Sequence, residues 1–288
     1  MKKGEIYEGV IEKVEFPNKG FVWVDDQKVI VKNGIPGQKV RFMINKKRSG
    51  RAEGRLLEVL EKSPLETREP ACQEFPACGG CMYQTMSYEA QKEMKERQVR
   101  ELLDGAVRES MDKIGKNSDE TEETEDTDKL YHWDGIYGSP IEFGYRNKME
   151  FSFGDAYKDG PLALGMHKRG SFYDIVTVDG CRLVDDDYSA ILRETLCYFE
   201  EKKTPFYHRY THEGYLRHLL ARRASRTGEI LAALVTTTQQ EVDLESWKER
   251  LLSLPLNGKF AGILHITNDS MSDAVKCDSS EILYGRGY

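Results

Sequence analysis

Three thiols fall within ten residues in the run Cys72-x5-Cys78-Gly79-Gly80-Cys81. A compact set of thiolates is suited to a soft metal ion or an iron–sulfur cluster. The two glycines let the backbone fold tightly around a centre and aim N–H groups at sulfur. Either kind of centre needs a fourth ligand. Cys181 is the best candidate, because it follows Asp179-Gly180 at the end of a predicted strand. Zinc sites usually show two Cys-x2–4-Cys pairs. One triplet with one distant partner is more typical of clusters, although spacing alone leaves zinc open. Cys197 shares a helical stretch with Leu196 and Phe199 and is expected in the core, while Cys277 sits in a polar stretch and reads as a spectator thiol. No Cys-x3-Cys-x2-Cys radical signature is present, so the centre reads as a structural staple.

Positive charge supplies a second kind of chemistry. The chain of 288 residues has a formal net charge of −7, but residues 119–128 alone carry seven acids and no base. The remaining 42 acids balance the 42 Lys and Arg. Residues 1–62 hold 14 Lys and Arg against 9 Asp and Glu, a local surplus of 5. That surplus admits a nucleic-acid partner and equally a solvated surface. No run of about 18 apolar residues exists, which argues against a membrane span. The opening Met1-Lys2-Lys3-Gly4-Glu5 has no apolar stretch behind it and does not read as a signal peptide. A cytoplasmic, reducing location follows, where structural disulfides are uncommon.

These residues need elements to position them. Residues 4–61 contain about five short β-branched runs punctuated by Pro17-Asn18-Lys19-Gly20, Asp25-Asp26-Gln27, Asn33-Gly34 and Pro36-Gly37. That pattern predicts a small OB-like β-barrel over residues 1–62, with Gly9 marking a bulge. A helix is predicted over residues 88–103, with Ser87 as its N-cap and Met94, Val99, Leu102 and Leu103 as its apolar side. Residues 104–129 are acidic and Thr-rich and read as a disordered insertion. Residues 63–103 and 130–288 are assigned to a second, central domain. Phe143, Tyr145, Met149, Phe151 and Phe153 alternate with Arg146, Lys148 and Glu150. Hairpins follow around Lys168-Arg169-Gly170 and Arg226-Thr227-Gly228, with helical spacing at 188–199 and 247–254 and a last apolar strand at 260–267. The expected class is α+β and multidomain, with a mainly antiparallel central sheet.

The order of these motifs resembles a known family. Residues 4–61 resemble a TRAM domain, an OB-like RNA-binding module. The cysteine triplet, Tyr145-Arg146-Asn147-Lys148, the run 165–172 (Gly-Met-His-Lys-Arg-Gly-Ser-Phe) and Asp179-Gly180-Cys181 then follow in sequence. The succession resembles the S-adenosylmethionine-dependent RNA (uracil-5-)-methyltransferases, in the 23S rRNA branch that carries a [4Fe-4S] cluster. Leu264-His265-Ile266-Thr267 and Leu283-Tyr284-Gly285 also fall where that family has similar segments. The likeness covers the chain except residues 104–129.

The resemblance implies a [4Fe-4S] cluster on Cys72, Cys78, Cys81 and Cys181, and an RNA partner, 23S rRNA, for a monomeric protein. Complete enzymes add a thiolate to uracil C6, methylate the C5 enolate from S-adenosylmethionine and remove the C5 proton. The uridine must first leave its stack. The resemblance places that chemistry in a C-terminal domain beyond residue 288. No catalytic residue is therefore carried over, Cys277 does not match the nucleophile, and this chain alone is expected to be inactive. Its expected role is to grip RNA. Lys46, Lys47, Arg48 and Arg51 would bind phosphates, with Arg146, Lys148, His167, Lys168 and Arg169 as a second surface. Two other readings stand beside this one: a non-catalytic RNA-binding protein with a structural iron–sulfur or zinc site, and a zinc protein whose β module contacts protein.

Overall fold

Alternation of β-branched and polar residues gives the N-terminal part six strands in a computed structural model that describes residues 1–48, 50–115, 131–272 and 275–287. The strands are β1 (Ile6–Val10), β2 (Lys13–Glu15), β3 (Lys19–Val24), β4 (Gln27–Lys32), β5 (Lys39–Arg48) and β6 (Arg51–Glu61). Their order is β1-β5-β6-β4-β3-β2, antiparallel except where β4 meets β6. β1 and β2 are separated only by Ile11 and Glu12, yet they stand at opposite ends of this order, so the sheet curls back on itself. The bend is fixed by the Ile11 N–H on the Gln38 carbonyl (2.9 Å) and the Glu12 N–H on the Phe21 carbonyl (3.0 Å). The five runs of the sequence thus become six strands, because the first is broken at the bend.

Gly9 is not at a bulge: it pairs with Val40 in an unbroken register. Its missing Cβ is needed because a side chain there would run into Val22. Asp25 and Asp26 both take positive φ (46° and 59°), which gives β3–β4 the tight two-residue turn favoured in hairpins. Ile11, Val22, Val29, Val31, Val40, Phe42 and Ile44 fill the interior.

Helix α1 spans Tyr88–Gly115. The Ser87 hydroxyl accepts the Ala90 N–H at 3.1 Å, as the capping pattern predicts. The helix continues past residue 103, so residues 104–115 are helical rather than disordered. The good helix formers of this stretch, with a Glu109–Lys113 pair at 2.8 Å, account for the extension. The rest of the expected insertion, 116–129, lies outside the described residues. The buried side of α1 is Met94 and Gln98, whereas Leu102 and Leu103 are exposed. Gln98 donates to the Val14 carbonyl at 2.8 Å.

Contacts divide the chain into Met1–Pro70 with Met82–Pro140, and Ala71–Cys81 with Ile141–Tyr288. Residues 63–70, 82–103 and 131–140, which the sequence assigns to the central domain, therefore go with the first sheet, where Met86 and Met94 pack with Ile35 and Tyr83.

The second unit holds β7 (Lys148–Asp155), β8 (Leu162–His167), β9 (Ile175–Thr177), α2 (Asp186–Glu201), β10 (Leu216–Arg223), β11 (Glu229–Thr236), α3 (Leu244–Leu252), β12 (Lys259–Thr267) and β13 (Ser279–Gly285). The seven strands run in the order β13-β12-β11-β10-β7-β8-β9. Every pair is antiparallel except β11·β12, which α3 joins as a crossover. Met149, Phe151, Leu164, Leu219, Leu234 and Ile263 share a core with Tyr188, Ile191, Leu192, Phe199 and Trp247 of the two helices. Asp185 caps α2 and Asp243 caps α3. Tyr145 precedes β7 and is about half exposed, so the alternating face begins only at Met149. None of the described helices is long and apolar enough to cross a membrane.

Candidate thiolate centre and nucleic-acid interface

The cysteine loop is held by backbone bonds to the turn after β8. Cys78 bridges Lys168, the Gly79 N–H donates to the His167 carbonyl at 2.9 Å, and the Arg169 N–H donates to the Ala77 carbonyl at 2.8 Å. A Cβ on Gly79 would stand 2.8 Å from that His167 carbonyl, so the approach requires glycine. Within the loop the Phe75 N–H bonds the Cys72 carbonyl (3.2 Å) and the Cys78 N–H bonds the Glu74 carbonyl (2.8 Å). The Arg169 side chain donates to the Cys81 carbonyl and lies over the Phe75 ring, 5.2 Å from its centroid.

Cys181 arrives from the other side. The Gly144 and Arg146 N–H groups each donate at 2.9 Å, to the carbonyls of Arg182 and Leu183, and so fix the turn that follows it. Cys78 and Cys181 both rest on the edge of the core.

All four thiols are partly buried. Burial pushes the Cys78 thiol up, against the Gly80 N–H aimed at its sulfur at 3.4 Å; Cys81, Cys181 and Cys72 push it further up. Burial also raises Cys181, opposed by the Leu183 N–H and the Arg146 guanidinium. The four thiols are thus close enough to feel one another's charge, with cations and N–H donors around them. They do not form a closed ligand set: among the described residues, no three His, Cys, Asp or Glu side chains converge as ligands of one ion. A cavity of about 380 Å³ opens between the Cys72–Glu74 stretch and Asp179, Gly180 and Arg182.

The cations predicted from the sequence separate into distinct places. Lys46, Lys47, Arg48 and Arg51 are all exposed at the β5–β6 tip, where Arg48 and Arg51 face each other across the hairpin. Lys46 leans on Glu53 (3.5 Å), and Lys47 bonds the Met1 carbonyl (3.1 Å). Arg146 and Arg169 border the cysteines. Lys168 pairs with Asp174 at 3.8 Å, and His167 meets Arg209 at 3.2 Å. Lys148 is exposed on β7 beside Arg222 of β10.

The sequence reading misses Arg222, Arg209 and Arg182, for which pairing between distant segments is the only signal. It also misses Arg217, which is 3% exposed and donates to the carbonyls of Asn268 (2.8 Å), Ser270 (2.7 Å) and Ser272 (2.6 Å). Cys197 is exposed rather than in the core. The buried stripe of α2 runs through Tyr188, Ile191, Leu192, Thr195, Tyr198 and Phe199, and Cys197 lies off it, 3.1 Å from Glu201. Cys277 is exposed.

No family model matches the chain. A Clostridium tetani protein named "Uncharacterized RNA methyltransferase" is 44% identical over all 288 residues, and one of the same description from Caldanaerobacter subterraneus is 42% identical over the same span. The chain spans 59% of the length of each of these curated relatives. Among solved structures, the Pyrococcus abyssi tRNA (uracil-54, C5)-methyltransferase in complex with S-adenosyl-L-homocysteine matches with a TM-score of 0.62 at 22% identity, over 97% of this chain and 55% of that one. At that identity the likeness is one of fold.

Proposed function

We propose that this chain is the RNA-recognition portion of an RNA (uracil-5-)-methyltransferase that makes 5-methyluridine from S-adenosylmethionine, with 23S rRNA as substrate, acting in the cytoplasm as a monomer. The observation that carries this reading is similarity along the whole chain to proteins named RNA methyltransferases. The curled sheet of residues 6–61 serves as a TRAM-type module, and its exposed basic tip grips phosphate. Methyl transfer belongs to the length of those relatives that this chain does not match. In support, the central sheet has one parallel pair among six, unlike the open parallel sheets that cradle nucleoside cofactors at their switch points.

Cys72, Cys78, Cys81 and Cys181 would hold a [4Fe-4S] cluster, tying the 72–81 loop to the sheet. An N–H group lies against the Cys78 sulfur, and Arg146 and Arg169 stand beside the cysteines, surroundings that would stabilise bound thiolates.

The test is equilibrium binding of 23S rRNA fragments across a salt series. Binding whose logarithm falls linearly with log salt, by about 0.7 per single-strand phosphate contacted, is expected. Absence of binding at low salt would overturn the reading. Incubation with radiolabelled S-adenosylmethionine should leave the RNA unmethylated by this chain alone.

A further inference from the structure

Two loops of the second unit carry aromatic rings into solvent. Phe172 is 79% exposed, Tyr210 68% and Tyr173 48%. Tyr173 and Tyr210 are 37 positions apart, yet their rings stack with centroids at 5.1 Å and planes 27° apart, and their hydroxyls lie 2.5 Å apart. His208 continues the row at 5.8 Å from Tyr210, and Phe206 follows at 6.2 Å.

Both loops are held in place. The Ser171 hydroxyl accepts the N–H groups of Tyr173 (3.3 Å) and Asp174 (3.2 Å). The His208 N–H bonds the Glu213 carbonyl (2.7 Å), the His212 N–H bonds the His208 carbonyl (2.8 Å), and Arg209 meets His167 at 3.2 Å across the two loops. Exposed rings on fixed loops lose little freedom when something settles on them.

We propose that this row is a stacking platform for unpaired nucleobases. Stretches of RNA without partners would lay successive bases on Phe172 and on the Tyr173–Tyr210 pair, with Lys168 and Arg209 of the same loops beside the backbone. The inference rests on the RNA-recognition reading and adds a substrate class to it: single-stranded rather than duplex RNA. Every base has a π-face, so such a platform recognises strandedness and tolerates sequence.

Composition favours RNA over a protein partner. The exposed large hydrophobic side chains of the two loops, residues 168–174 and 206–213, are Phe172, Tyr173 and Tyr210. Protein interfaces combine aromatics with aliphatic anchors in a desolvated centre poor in charge, whereas these two loops carry Lys168 and Arg209 along with the rings.

The experiment measures binding of the 288-residue chain to a labelled 12-mer, single-stranded and then annealed to its complement. The single strand should bind at least tenfold more tightly. Tyr173→Leu with Tyr210→Leu keeps apolar bulk and removes the rings. It should weaken single-strand binding about 5- to 150-fold, as expected for one lost stacked base, without altering the salt slope or duplex binding. Phe172→Leu, at a position too exposed to affect folding, should give a smaller loss of the same kind. Aromatic variants that bind both forms as the unaltered chain does would overturn the platform while leaving RNA recognition in place. No RNA binding by the unaltered chain would overturn both. Self-association of the unaltered chain that the leucine variants abolish, with RNA binding intact, would assign the patch to protein and overturn the platform.

Discussion

At the β5–β6 tip, the side chains that carry charge stand beyond the last buried residue of their strand; in the cysteine loop, two of the side chains that carry sulfur rest on the core itself. Burial along β5 ends at Ile44, and residues 45–48 are exposed. Cys78 and Cys181, by contrast, pack against the main core of their unit, and the loop is stitched to residues 167–169. The difference teaches where function and folding are separable. Charge on a projecting hairpin acts through long-range, salt-screened attraction and needs little positional precision. A thiolate set must hold its sulfurs in fixed relation, so its scaffold is part of the site.

The comparison breaks most sharply at glycines. Gly79→Ala places a methyl 2.8 Å from the His167 carbonyl, a backbone atom that cannot swing aside. It should cost about 1 to 3 kcal/mol in urea unfolding and reduce metal retention. Survival of both would show that the loop is not clamped. Next, Lys46→Glu with Lys47→Glu should weaken RNA binding about tenfold, roughly 1.4 kcal/mol, and flatten the salt slope. The unfolding midpoint should hold within about 0.5 kcal/mol. A large stability loss there would erase the distinction between the regions.

Gly50→Ala at the tip meets no atom within 4 Å and is opposed only by its φ of +76°. About 1 kcal/mol is expected from that left-handed conformation, with metal content untouched.

The smallest effect at neutral pH lies in the core beneath the cysteines. Burial pushes the Tyr188 phenol up to about 12 from an ordinary value of 10. The folded state therefore favours the neutral form; that contribution is complete below about pH 10 and is lost as pH rises toward 12. Tyr188→Phe should stay within about 1 kcal/mol of the parent at pH 7 and gain on it by pH 11, as read by urea midpoints.

Much of this arrangement was legible in the sequence. β-branched alternation marked the strands of the first sheet, Asp25-Asp26 marked a hairpin, and Ser87 marked a helix start. β13 escaped because Ser279–Gly285 is largely polar and exposed, so no apolar alternation announces it. The far end of α1 escaped because acidic composition masked helix-forming residues after 103. At the site, the cysteine triplet was visible by local spacing, and Cys181 through its Asp-Gly turn. Arg222 beside Lys148, Arg209 beside His167 and the Tyr173–Tyr210 stack depend on segments brought together by folding, which no local pattern encodes.

Iron and acid-labile sulfide per chain, determined on anaerobically purified protein and on its Cys181→Ser variant, test the central claim about the thiolate centre most directly. Close to four of each are expected in the parent, as a [4Fe-4S] cluster holds, with broad absorbance near 400 nm (an approximate position for thiolate-bound clusters) and a marked loss in the variant. One zinc per chain in a colourless parent, or iron content unchanged by Cys181→Ser, would contradict it.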